Sequence, residues 1–165
     1  MSQPAADFSL SLVRELEGFR RELALFPDDA SIWKTVPGIT NSAGNLALHV
    51  AGNLQYFIGQ VLGRTGYVRR RDLEFNRTSG SRDDVYAELD AASRVVMMVL
   101  PPLDVDVLKD EFPEVVLNTR FRTGAFLVHL CSHAAFHLGQ AGYLRRVITG
   151  DATSSGPIPL GPLSL

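Results

Sequence analysis

The chain has 165 residues, of which 45% are hydrophobic and 21% charged, with a formal net charge of −2. That length and apolar content suit one domain around a single core, and the near-neutral balance gives no global electrostatic case for nucleic acid or membrane as a partner. A lone cysteine, Cys131, excludes an internal disulfide framework and points to a reducing cytoplasm.

Phe8, Leu12, Leu16, Phe19, Leu23 and Phe26 recur at steps of three and four, with Arg14, Glu15, Glu17, Arg20, Arg21 and Glu22 between them. This predicts an amphipathic first helix, and nothing in the residues before it reads as a signal peptide. Pro27-Asp28-Asp29 ends the helix. In the connector that follows, Trp33 is expected to pack and Pro37-Gly38 to turn the chain.

Asn41 or Ser42 is a plausible N-cap for a second helix, over roughly residues 42–62. Its apolar side holds Leu46, Val50, Leu54, Phe57 and Val61. Beside that side runs a polar ridge of His49, Asn53, Tyr56 and Gln60. A solvent-facing ridge normally carries Lys or Glu, and this one has neither, so it is expected to line a partly enclosed site. Gly52 and Gly59 would permit close approach of a neighbouring helix.

Residues 63–80 are too polar and irregular for a helix and read as a solvated basic loop, with Arg64, Arg69, Arg70, Arg71 and Arg77 against Asp72 and Glu74. Ser81 then caps a third helix, with Asp84 as the acidic half of a near capping box. Val85, Leu89, Ala92 and Val96 form its core side, and Pro101-Pro102 stop it. Residues 103–119 allow a short strand or an extended crossover. A fourth helix spans about 121–148, where Arg145 and Arg146 suit the helix dipole and Gly150 closes the end. The bundle domain is thus placed at 1–150. The tail, 151–165, is rich in Pro, Gly and Ser and should be extended, lying against the domain or a neighbouring subunit.

Two stretches, 35–63 and 123–144, contain no Asp, Glu, Lys or Arg. Their asparagines, glutamines and histidines are costly in hydrocarbon, so both are expected to be buried helices rather than membrane spans. Four long helical patterns give an all-α fold, with an antiparallel four-helix bundle as its default form.

Three of the four histidines, His129, His133 and His137, stand four residues apart on the last helix. Projected at about 100° per residue, His133 and His137 fall near the middle of the apolar arc and His129 at its edge. Neighbours in this ladder can share one ion, whereas His129 and His137, about 12 Å apart along the axis, cannot. His133 with His137 is the favoured pair, and His49 is the one histidine left to complete a metal site. Three neutral imidazoles with open positions form the pattern of a catalytic metal. His129 is assigned to packing or to supporting the ligands. Ala134 stands where a zincin carries its glutamate, the last helix has no carboxylate for a di-iron site, and no phosphate-binding loop is present.

The segments NSAGNLALHVAGN, 41–53, and HLCSHAAFHLGQ, 129–140, resemble the DinB/YfiT-like metal-dependent bundles. The resemblance implies a four-helix core, with a histidine on the second helix and an H-x-x-x-H pair before Gly-Gln on the last. It implies His49, His133 and His137 as ligands of a divalent metal, zinc or nickel, and frequently a homodimer. Function follows more loosely: relatives include thiol S-transferases and a thiol-dependent isomerase.

The expected function is divalent-metal binding, with a metal-dependent thiol transferase acting on small molecules as the leading chemistry. A non-enzymatic bundle with a structural or sensing metal is the alternative. Asn53, Tyr56 and Gln140, with His129, would orient ligands or line the substrate space. The expected partners are a small-molecule substrate or low-molecular-weight thiol, without nucleic acid or membrane.

Overall fold

The computed structural model describes residues 3–156 and 159–163. Its helices are α1 (Gln3–Ala24), α2 (Ala43–Leu54, continued by a π-helical segment, Gln55–Leu62), α3 (Arg71–Asn76), α4 (Arg82–Val99) and α5 (Thr123–Thr149). The all-α bundle is formed by the four long ones. Each of α1 and α2 packs against both α4 and α5, leaving α1 and α2 on one diagonal.

Side-chain pairs set the helix directions. Arg82, opening α4, donates to the carbonyls of Ala24 and Phe26 at the end of α1, so those two helices run antiparallel. His49 meets His133 and His137, while Phe57 meets Phe126, so α2 and α5 are antiparallel as well. By contrast, Gln55 bonds Glu88, Gly59 faces Val95 and Gly63 faces Val99, so α2 and α4 run in the same direction. So do α1 and α5, through Gly18 against Leu138 and Glu22 with Arg145. Gly59 therefore permits the close helix approach expected of it.

Parallel neighbours cannot be joined by a tight turn. The chain leaving the π-helical segment must travel back along the bundle before α4 can begin. Residues 64–81 make that return as a strap alongside α2. The strap is exposed along much of its length, as its polarity suggests, but it is tied to the bundle rather than free. It contains the six-residue helix α3, and Asn45 of α2 donates to the carbonyls of Glu74 and Arg77 at 3.0 and 2.8 Å. Two of its arginines, with Arg82 beside them, are structural ties: Arg69 to Glu74, Arg77 to Asp84, and Arg82 to Asp29. Arg77 also lies over Trp33, whose indole N–H donates to the Gly80 carbonyl.

Caps define the ends of the helices. Ser42 and Asn45 form a reciprocal capping box on α2, and Ser81 with Asp84 forms a complete one on α4. Gly150 closes α5 in the left-handed conformation, φ 67°. The 103–122 connector forms no strand. It consists of turns with two isolated bridges, Glu111 to Arg122 and Val116 to Thr119.

Two expectations about α5 need correction. Its uncharged stretch is not buried all round: Val128, Phe136, Tyr143 and Val147 are more than half exposed and follow one stripe. Arg145 is not a solvated dipole partner but a fully buried clamp. It donates to Glu22 at 2.7 Å, to the Asp151 carbonyl at 3.1 Å and to the Thr153 carbonyl, while Ser155 donates to Glu22 at 2.6 Å. The first residues of the tail are therefore held against α1 of the same chain. The tail's residues 157, 158, 164 and 165 lie outside the described set. Among the described residues, no helix is long and apolar enough to cross a membrane.

Candidate metal centre

The α-helical part of α2 is buried on every side, which puts His49 at 6% exposure opposite the middle of α5. Antiparallel packing brings His133 and His137 to the same level. The Nε2 atoms of His49 and His133 lie 3.2 Å apart, and those of His137 and His133 lie 3.1 Å apart. The ligand-capable atoms of all three histidines fall within 4.8 Å of one another.

The other ring nitrogens decide what these Nε2 atoms present. His49 Nδ1 lies 2.9 Å from Glu74 Oε2, and an ionised carboxylate only accepts, so Nδ1 carries the proton. His137 Nδ1 faces Gln140 Oε1 at 2.7 Å, and with the amide in that orientation the oxygen accepts and Nδ1 is the donor. Two Nε2 lone pairs therefore converge on His133 Nε2, which has at most one hydrogen to offer. A cation among three lone pairs removes the conflict. Nitrogens bonded to one tetrahedral ion at about 2.0–2.1 Å stand about 3.3 Å apart, close to the 3.2 and 3.1 Å of the two pairs.

The electrostatics agree. Burial, with His137 and His49 adding their repulsion, pushes the His133 imidazole down to about 3. Burial also lowers His137, although its bond to Gln140 pulls the other way. Both rings are thus neutral at ordinary pH, as metal ligands must be. Burial alone would raise Glu74, but its bonds to Arg69 and His49 win and hold the carboxyl below its ordinary range. Arg69 grips that carboxylate through two bonds of 2.7 Å each. The result is a carboxylate–histidine pair behind the candidate metal position, an arrangement that fixes the tautomer and aim of a ligand.

Asn53 lies one turn after His49 and is 8% exposed. Its Oδ1 is buried without a hydrogen-bond partner. An orphaned acceptor one turn along α2 from His49 fits a site built to receive something that donates. His129 is exposed, stacked on Phe126 at 5.7 Å and the same distance from the His133 ring. Tyr56 donates to Glu114 at 2.8 Å, and that bond, followed by burial, raises its hydroxyl above the usual range. A cavity of about 350 Å³ adjoins Gln140, lined also by Leu46, Tyr143 and Val147.

The sequence matches a family described as Protein of unknown function (DUF1572) over residues 8–161. The chain belongs to that family. DUF1572 has a DinB-like fold, in keeping with the resemblance carried by the histidine segments. A solved structure titled as a conserved protein of locus from Enterococcus faecalis superposes with a TM-score of 0.70. It is 20% identical, and the match covers 87% of this chain and 96% of that one. At that identity the likeness speaks for the fold alone. No curated protein matches the sequence.

The structure therefore brings together His49, His133 and His137, places Asn53 one turn below them, and sets Gln140 behind His137. His129 sits to one side of the cluster. The ridge projected from a uniform helix fails beyond residue 54. There the chain becomes π-helical, and Gln60 turns away to accept from the Gly66 N–H at 2.7 Å. Sequence reasoning missed Glu74, Arg69 and Glu114. Gly52 is the signal that could have found Glu74: a Cβ there would sit 2.4 Å from Glu74 Oε1, so the glycine leaves room for the carboxylate.

Proposed function

We propose that this DUF1572 chain binds one divalent cation, zinc or nickel, through His49, His133 and His137, and uses it on a small-molecule ligand. Transfer involving a low-molecular-weight thiol is the reaction class we favour. The observation that carries this reading is the convergence of the three Nε2 atoms, with two tautomers set from behind by Glu74 and Gln140. Three protein nitrogens leave a tetrahedral ion one position short, as in catalytic rather than structural sites. An ion held there would lower the pKa of a bound thiol and favour its thiolate, the nucleophilic form.

The chain's own residues supply the rest. Glu74 and Arg69 hold His49 in register, Gln140 holds His137, and Asn53 Oδ1 stands ready to accept a hydrogen bond from the ligand. The hydrophobic core is continuous through all four long helices, so the bundle has a packing basis that does not need the ion.

A screen of zinc- or nickel-loaded protein against thiols paired with electrophilic acceptors tests the reaction class. Turnover that is lost in His133→Ala together with the metal supports it. Turnover that persists without metal overturns it. A chelator that unfolds the protein would favour a structural ion instead.

We further propose that two copies meet across the uncharged α5 stripe of Val128, Phe136, Tyr143 and Val147. A face without charge needs no complementary charge on its partner, which suits a copy of itself. Sedimentation should show a dimer that Tyr143→Glu dissociates. A monomeric wild-type chain would refute the contact.

A further inference from the structure

Arg69 and Arg77 of the strap, and Arg82 beside it, each pair with a carboxylate, whereas Arg64, Arg70 and Arg71 have none among the described residues. Arg71 is set apart from the other two by an aromatic neighbour. It is exposed and lies over the Phe75 ring, its guanidinium carbon 4.9 Å from the ring centroid. Phe75 in turn lies 4.7 Å from the His49 ring. Arg71 and Phe75 stand one turn apart on α3, so one helix face runs from an unneutralised guanidinium through the Phe75 ring to His49.

The charge balance of the centre points the same way. Three imidazoles bring no negative charge, and the Glu74 carboxylate is already matched by Arg69. Glu114 faces Tyr56 further along α2, and Asp72, next to Arg71, lies about 100° round the short helix. Neither caps Arg71.

From this geometry we infer that Arg71, steadied on Phe75, selects an anionic ligand. Such a ligand has a metal-seeking head and, a short chain away, a carboxylate or phosphate that takes the guanidinium fork. This rests on the metal reading above and adds to it the charge class of the small molecule. Phe75 keeps the arginine from folding back into solvent, and the planar guanidinium leaves its N–H edge free for the anion.

The test uses the full-length protein loaded with cobalt(II), whose visible spectrum reports ligand binding. Two probes share one head and chain length: butyrohydroxamate, with a methyl end, and succinohydroxamate, with a carboxylate end. Wild type should bind succinohydroxamate more tightly by about fivefold or more. Arg71→Gln should abolish that preference while leaving cobalt uptake and butyrohydroxamate affinity unchanged, and Arg71→Lys should keep part of it. Equal affinities in wild type, a preference that survives Arg71→Gln, or cobalt uptake without binding of either probe would each overturn the inference. Failure to take up cobalt would overturn the metal reading and this inference together.

Discussion

Replacing Glu74 by Gln removes a charge but no volume, and its consequences can be worked out from the geometry. The carboxylate accepts from His49 Nδ1 at 2.9 Å and from Arg69 Nε and Nη2 at 2.7 Å. An amide has one oxygen: at the Oε2 position it keeps His49 Nδ1 and Arg69 Nη2 but turns its NH2 on Arg69 Nε, and at the Oε1 position it turns its NH2 on His49 Nδ1. If it fails His49, the ring is released to the other tautomer and a lone pair is lost from the centre. In either orientation a guanidinium at 12% side-chain exposure loses its counter-ion. Loss of such a supporting carboxylate lowers metal affinity by about 10- to 100-fold, or about 1.4–2.7 kcal/mol. Competition against a chromophoric zinc chelator at pH 7 measures this directly.

The pH dependence of stability has a definite sign. Glu74 is held below its unfolded value of 4.5, so its stabilising contribution is complete above that pH. It is lost as pH falls through the lower, folded value, and Glu74→Gln should flatten this acid limb of the stability curve. An unchanged zinc affinity in Glu74→Gln would refute the idea that the strap positions His49.

Gly52→Ala should weaken zinc binding in the same direction, because its new Cβ would sit 2.4 Å from Glu74 Oε1 and displace the carboxylate. The double variant with Glu74→Gln should lose less than the sum of the two, measured in the same competition assay. Arg145→Ala should cost about 3–5 kcal/mol, since it strands Glu22, 5% exposed, as a buried charge. Thermal melts should fall by about 6–20 °C, and proteinase K should then reach the tail. Burial raises the Cys131 thiol above its ordinary range, so iodoacetamide at pH 8 should modify the folded chain far more slowly than the urea-unfolded one.

The histidine cluster was legible because it depends on helical spacing alone. His133 and His137 share a face by periodicity, and His49 lies on the other uncharged helix. What surrounds the cluster was not. Glu74 sits in a six-residue helix, too short to give a periodic signal, within a run whose arginines suggested solvent. Its position follows from α2 and α4 running in the same direction, which forces the connection back past His49. That direction is a tertiary property and leaves no local pattern.

The absence of charge on α5 points to burial, but burial needs a covering partner, and Phe136 and Tyr143 have none among the described residues. Arg145 shows the converse case. A charged residue at a helix end ordinarily faces water, and only the paired Glu22 and the returning tail bury this one. Tyr56 and Gln60 were projected on a uniform helix that becomes π-helical at Gln55.

The measurement that bears most directly on the metal centre is X-ray absorption on the zinc-loaded protein. The account predicts one zinc per chain with three imidazole nitrogens at about 2.0–2.1 Å and one further light atom, with the imidazole signal reduced in His49→Ala. A shell containing sulfur, one with fewer than two imidazoles, or a spectrum unchanged by His49→Ala would contradict it.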